Sequence, residues 1–194
     1  MFQNLIRQPW LIGLAWFLAA AICLMLAQSI AHVIKGQVTH GIDLGIRIHN
    51  PLDIRPVPLP GRWDGQIGIY ETDDAAFAAF EDYAHGLRAG AVLLRNYGRL
   101  HQITSLVGPG GIEAQDGVIT RWSPEFDHNN TQAYADRVAR LTGFGSHQTL
   151  NLEDGATVAA LIRAMTRVEL GLSDTEALPY TEDDLQRALT LANF

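Results

Sequence analysis

Between Arg7 and Lys35 stand 25 consecutive residues, Trp10 to Ile34, with no Asp, Glu, Lys or Arg: "WLIGLAWFLAAAICLMLAQSIAHVI". At about 1.5 Å per residue, a helix of that length covers a hydrocarbon core of about 30 Å. A soluble buried helix would carry a polar stripe, and Gln28, Ser29 and His32 supply only a weak one. A cleaved signal peptide has a shorter apolar core and a small-residue cleavage site, and "SIAHVIKG" is a poor one. The sequence therefore predicts an uncleaved, single-pass membrane anchor through residues 10–34. Arg7 and the terminal amine precede the run, whereas Lys35 is followed by Asp43. That asymmetry predicts a short cytoplasmic tail and a large C-terminal part outside.

The rest of the 194-residue chain is long enough for one ordinary domain with its own core. A net charge of −7 argues against nucleic-acid binding, which expects a basic patch. The single cysteine, Cys23, lies in the apolar run and leaves no intramolecular disulfide to form. No Cys/His cluster has zinc spacing and no glycine-rich loop has phosphate-binding spacing, so no metal and no cofactor are expected.

Residues 36–45, with Gly36, Gly41 and Gly45, read as a tether, and residues 46–194 as the domain. In "GIRIHNPLDIRPVPLPGRW" four prolines exclude a helix. "GQIGIYET" alternates with period two and predicts a short strand or hairpin. The remainder reads as helical. A helix capped at Asp73 or Asp74 is expected to reach Tyr83 with Phe77 and Phe80 inward, and Gly86 to separate it from a second one ending near Tyr97. "HQITSLV" and "DGVITRW" predict two short helices, the latter ended by Ser123-Pro124. Further helices are expected from Thr131 to Thr142, from Asp154 to Leu170, and from a Thr181/Asp184 capping box to Ala192.

The helix opened by Asp154 poses a chemical question. Val158, Leu161, Ile162, Met165, Val168 and Leu172 recur at three and four, and Glu169 falls on or beside their face. It is either an edge glutamate paired with Arg163 or Arg167, or an acid in a poorly solvated cleft. The second case raises its pKa and makes it a proton donor near neutral pH. A position near the helix C-terminus is already unfavourable for its charge. Glu125, in a polar loop, is the rival acid. Asp53, Asp64 and Glu71 lie in loops that could face Glu169, but each reads more readily as a solvated carboxylate.

Several pieces together resemble a known family. "GIRIHNPLDIR" is similar to the "GIRNNNPGNIR" opening of a phage and prophage protein family described as virion structural or lysozyme-like. Trp63, Gly65, Phe77, Phe80, "GLRAGAVLLRNY", "ITRWSPEFDHNNTQAY" and "RAMTRVELG" follow in the same order, over about residues 45 to 171. The opening also looks like the "NNLFGIK" segment of lysozyme-superfamily glucosaminidases, in which the helix with the catalytic Glu precedes that segment. The resemblance thus implies a circularly permuted, mainly α lysozyme-like domain with a small β-hairpin. Three departures stand out: Ile48-His49-Asn50 replaces the asparagine-rich triplet, Leu52-Asp53 replaces Gly-Asn, and His128 stands at a family position often held by Glu.

The resemblance implies an enzyme that cleaves β-1,4 bonds of peptidoglycan glycan strands from the periplasmic side, anchored in the bacterial inner membrane through residues 10–34, as a lysis enzyme or a virion-entry enzyme, with Glu169 as general acid. No second acid has a compelling position, which favours a lytic transglycosylase over a hydrolase. Arg47, Asn50, Arg88, Trp122, Asn129 and Tyr134 are the candidate substrate-binding residues. The rival expectation, fed by the altered "IHNPLD" loop, is a non-enzymatic virion or membrane structural protein that keeps the fold.

Overall fold

A computed structural model describes residues 44–57, 60–73 and 75–194. The chain divides into two units, Met1–His40 and Gly41–Phe194, and the described residues belong to the second. That unit is mainly helical with one two-stranded sheet. The expected transmembrane helix is corrected: among the described residues no helix is long and apolar enough to cross a membrane. The longest, with 19 residues, carries Arg88, Arg95 and Arg99 and buries only one stripe. Residues 10–34, to which the sequence reading assigned the span, lie outside the described residues.

The sheet pairs β1 (Gln66–Glu71) with β2 (Ala76–Phe80), antiparallel, with a bulge between Gln66 and Gly68. The strand expected around Ile67–Tyr70 is therefore present. Its partner falls where a helix was expected. "AFAAF" is too short to separate period two from period three. Pairing with β1 decides for the strand, which turns Ala78 and Phe80 fully inward.

The central helix α1 (Tyr83–His101) starts after Asp82, whose carboxylate accepts from the His85 amide. It runs through Gly86 rather than breaking there. A Cβ on Gly86 would stand 2.1 Å from the His49 carbonyl oxygen, and one on Gly90 would stand 2.4 Å from Leu52 Cδ1. These two glycines, four apart on one face, let the 49–52 backbone lie directly on the helix.

"HQITSLV" forms no helix. Ile103 and Leu106 are buried, but their segment is an irregular, bending loop tied across the chain: Leu150 donates to Thr104, Val107 to Ser146 and Val118 to Ser105. Apolar residues three apart served a threaded loop here, not a helical face. Then come α2 (Val118–Trp122), α3 (Thr131–Thr142), α4 (Gly155–Glu169) and α5 (Glu182–Leu191). Gly143, at φ 76°, ends α3. Asp154 caps α4, and Thr181 with Asp184 forms the expected capping box on α5. The core gathers Leu87 and Leu94 of α1, Val138 of α3, Leu161, Ile162 and Met165 of α4, and Leu185 of α5, all fully buried. It joins α1 to α5 and α3 to α4.

The proline-rich segment is part of this core. After a helical turn at 44–47, Leu52 and Ile54 are 1% and 2% exposed. Phe80 donates to Ile48 O and Ala78 to Ile54 O, so the segment lies along the free edge of β2. Asn50 fastens it: its Nδ2 donates to Ile54 O and Ala78 O, and its Oδ1 accepts from Ile54 N, all at 2.9 Å.

Candidate active site

The last turn of α4 brings Glu169 against residues from three other parts of the chain. Trp122 Nε1, at the end of α2, and the Tyr134 hydroxyl, in the first turn of α3, both donate to Glu169 Oε1 at 2.8 Å. Among the described residues Oε2 accepts no hydrogen bond. With Oε1 engaged by two donors, a neutral Glu169 carries its proton on Oε2.

Glu169 is not the edge glutamate of the alternative reading. Arg163 instead forms two hydrogen bonds with Glu182, at 2.6 and 2.8 Å. Arg167 donates to the carbonyls of Ser173 and Glu176. With neither arginine beside it, burial pushes the Glu169 carboxyl up to about 7. The Asp53 charge adds in the same direction, while the Tyr134 and Trp122 hydrogen bonds oppose both. The negative end of the α4 dipole also favours the protonated form.

Asp53 lies near enough for its charge to act on this carboxylate, and its backbone is unusual. It lies between buried Leu52 and Ile54 with φ 50°, a left-handed conformation that turns its side chain out of the strand-like alternation. Asp tolerates this better than most residues. Burial raises the Asp53 carboxyl to about 6, with the Arg55 guanidinium pulling it down. Asp53 therefore ionises first, and its charge helps hold the proton on Glu169. Tyr134 is driven well above its ordinary value by burial, then by the charge of Glu169, with Asp53 adding to it. Tyr97 of α1 packs edge-on to Trp122, ring centres 6.4 Å apart, and closes the cluster.

Among the candidate residues, Trp122 and Tyr134 thus meet Glu169 directly. The others make their polar contacts elsewhere. Asn50 is fully buried and fully used in the loop. Arg47 donates to the Tyr70 hydroxyl at 3.2 Å. Arg88 donates to Leu191 O at 3.1 Å and stands 3.5 Å from Asp64. Asn129 is exposed, with Nδ2 donating to Pro124 O at 3.3 Å. Glu125, the rival acid, is exposed on a 3-10 turn, and Glu71 is exposed at the end of β1.

Sequence reasoning counted Asp53 as a solvated loop carboxylate and passed over Tyr97. The available signal was the setting of Asp53, an acid between Leu52 and Ile54 in a proline-rich stretch. Its left-handed φ is invisible in sequence because the residue is not glycine. Among the described residues no group of His, Cys, Asp and Glu has the arrangement to hold a metal ion.

A half-buried glutamic acid held by two aromatic donors, with a second carboxylate acting on its charge, is an arrangement for moving a proton, and it sits on a mainly helical domain. No protein-family model matches the chain. It is similar to Protein P5 of Pseudoalteromonas phage PM2, 37% identical over 145 residues that cover 74% of this chain and 78% of that protein. At that identity and coverage, the chain belongs to the family of this phage protein.

Proposed function

We propose that this phage-family protein is a peptidoglycan-cleaving enzyme that breaks β-1,4 glycosidic bonds, with Glu169 as the general acid. The supporting observation is the state of Glu169: a carboxyl raised to about 7, fixed through Oε1, with Oε2 free to deliver a proton. Glycosidic bond cleavage needs such an acid, because the leaving alkoxide is too basic to depart unprotonated. The resemblance to lysozyme-like domains supplies the substrate class, and membership in a phage protein family is consistent with it.

In this mechanism Glu169 Oε2 gives its proton to the bridging oxygen as the C–O bond breaks. Positive charge develops at the anomeric carbon, and ionised Asp53 stabilises it. A water then adds and returns a proton to Glu169, or the sugar's own 6-hydroxyl adds instead. A second carboxylate with a lower pKa supports the hydrolytic branch over the transglycosylase branch.

The structural-protein reading draws on the altered loop, where Asn50 is fully buried and spends its side chain on backbone groups of its own fold. One experiment separates the readings. The full chain is incubated with purified peptidoglycan, and released muropeptides are measured by mass spectrometry for the wild type and Glu169→Gln. Release by the wild type and none by the variant is the expected result. Equal release by both would end the role of Glu169, and release by neither would leave the structural reading. The masses of the sugar ends, reducing or anhydro, identify the branch.

A further inference from the structure

Both residues that grip Glu169 bound a single short connection. Trp122 ends α2 and Tyr134 lies in the first turn of α3, and each donates to the same Glu169 oxygen. The connection, residues 123–130, must leave that carboxylate and return to it. Its crest is a 3-10 turn, Glu125–Asp127, followed by His128 at φ 61°. The base of the turn is fastened. Thr131 Oγ1 donates to Ser123 O at 2.6 Å, Asn129 Nδ2 to Pro124 O, and the Asn130 side chain caps α3. On this crest Phe126 is 66% exposed.

Single exposed apolar residues are ordinary. Phe126 is unusual in its setting. It stands four residues from Trp122, so its Cα lies within about 14 Å of the Trp122 Cα, a span of a few sugar rings. Its neighbours along the turn, Glu125, Asp127, His128 and Asn129, are all polar and exposed. An exposed aromatic on a turn of hydrogen-bonding residues suits a pyranose, which offers an apolar C–H face and a polar rim. The flanking acids disfavour an anionic lipid surface.

We infer that Phe126 is a substrate-positioning residue: its ring stacks on a saccharide unit of the glycan strand next to the bond presented to Glu169. The inference rests on the glycan-cleaving reading above, and its test is arranged to fail separately from it. The stacking contact is made equally before and during bond cleavage, so it acts on binding and leaves the chemical step alone. Because the ring is exposed, Phe126→Ala keeps the fold, with a melting temperature close to that of the wild type.

The full chain, Phe126→Ala and Phe126→Tyr are compared in two arms. In the turnover arm, on soluble peptidoglycan strands, Phe126→Ala is expected to raise KM about tenfold with kcat within about twofold, and Phe126→Tyr to restore KM. In the binding arm, titration calorimetry with soluble glycan oligosaccharides is run on the same variants in the Glu169→Gln background. The same roughly tenfold weakening and the same rescue are expected. Unchanged KM and unchanged affinity in Phe126→Ala would overturn the inference, as would a fall in kcat alone. Binding that depends on Phe126 with no turnover by the active chain would overturn the enzymatic reading and keep the subsite. A wild type that neither binds nor cleaves glycan overturns both.

Discussion

Two carboxylate clusters in this domain hold their protons in opposite ways. Around Glu169 the partners are a phenol and an indole, with the charge of a second acid acting on it, and among the described residues no cation makes contact. Burial and the Asp53 charge therefore raise the carboxyl to about 7. At the start of α1, burial also pulls Asp82 upward. There, hydrogen bonds from the His85 ring and amide and from Arg187 outweigh it and hold the carboxyl at about 2. The Asp82 cluster is a fastening: it caps α1, and its 3.1 Å bond to Arg187 ties that helix to α5. What separates the raised carboxyl from the structural tie is deeper burial together with the lack, among the described residues, of a cationic partner.

The largest effect should come from Glu169→Gln, with a loss of glycan cleavage of about 10²- to 10⁴-fold and an intact fold. The pH dependence of stability sharpens the contrast. The folded pKa of Glu169 lies above its ordinary 4.5, so the folded state binds the proton more tightly. Stability from this group is full below pH 4.5 and is lost as pH rises through about 7, amounting to roughly 3 kcal/mol. Glu169→Gln should remove that alkaline loss, read as melting temperature against pH.

Next in size is Asn50→Ala, which strands buried backbone groups of the 48–54 segment and should cost about 2–4 kcal/mol in denaturant unfolding. A loss below about 1 kcal/mol would show that Asn50 is not the fastener of that loop.

Asp53→Asn keeps a residue that accepts the left-handed backbone while removing the charge. The carboxyl of Glu169 should then move down from about 7, carrying the alkaline limb of the kcat profile to lower pH. The maximal rate should fall about tenfold through the loss of electrostatic stabilisation. An unmoved limb would break the proposed coupling of the two acids.

The smallest effect belongs to Asp82→Asn, since asparagine still caps a helix. Asp82 is depressed, so its stability is present above pH 3.8 and lost as pH falls through about 2. The side chain is 37% exposed, and solvent screening should limit the shift to about 1–2 °C near neutral pH. The variant should flatten only the acid side of the stability profile, where Glu169→Gln flattens only the alkaline side.

Helix ends were legible because capping is local chemistry. Asp154, the Thr181/Asp184 pair and Gly143 act within four residues of themselves, and each appears where its sequence signal placed it. The apolar stripe of α4, and the odd position of Glu169 beside it, are equally local properties of a 3.6-residue period. "AFAAF" and "HQITSLV" were misread because their few apolar residues fit more than one period. A partner strand in one case, and bonds to residues 146–150 in the other, settled them. Gly86 was read as a break because sequence shows its helix cost and not the His49 carbonyl that requires it.

The candidate site divides along the same line. The sequence alone determined that a glutamate would end an amphipathic helix with two arginines nearby. Only the tertiary structure decided that those arginines turn away, to Glu182 and to the carbonyls of 173 and 176. Only it, too, brought Trp122, Tyr134 and Asp53 to the carboxylate from positions 47, 35 and 116 residues away in the chain. A pKa depends on which charges and dipoles lie within a few ångströms, and that is a property of packing across the chain rather than of spacing along it.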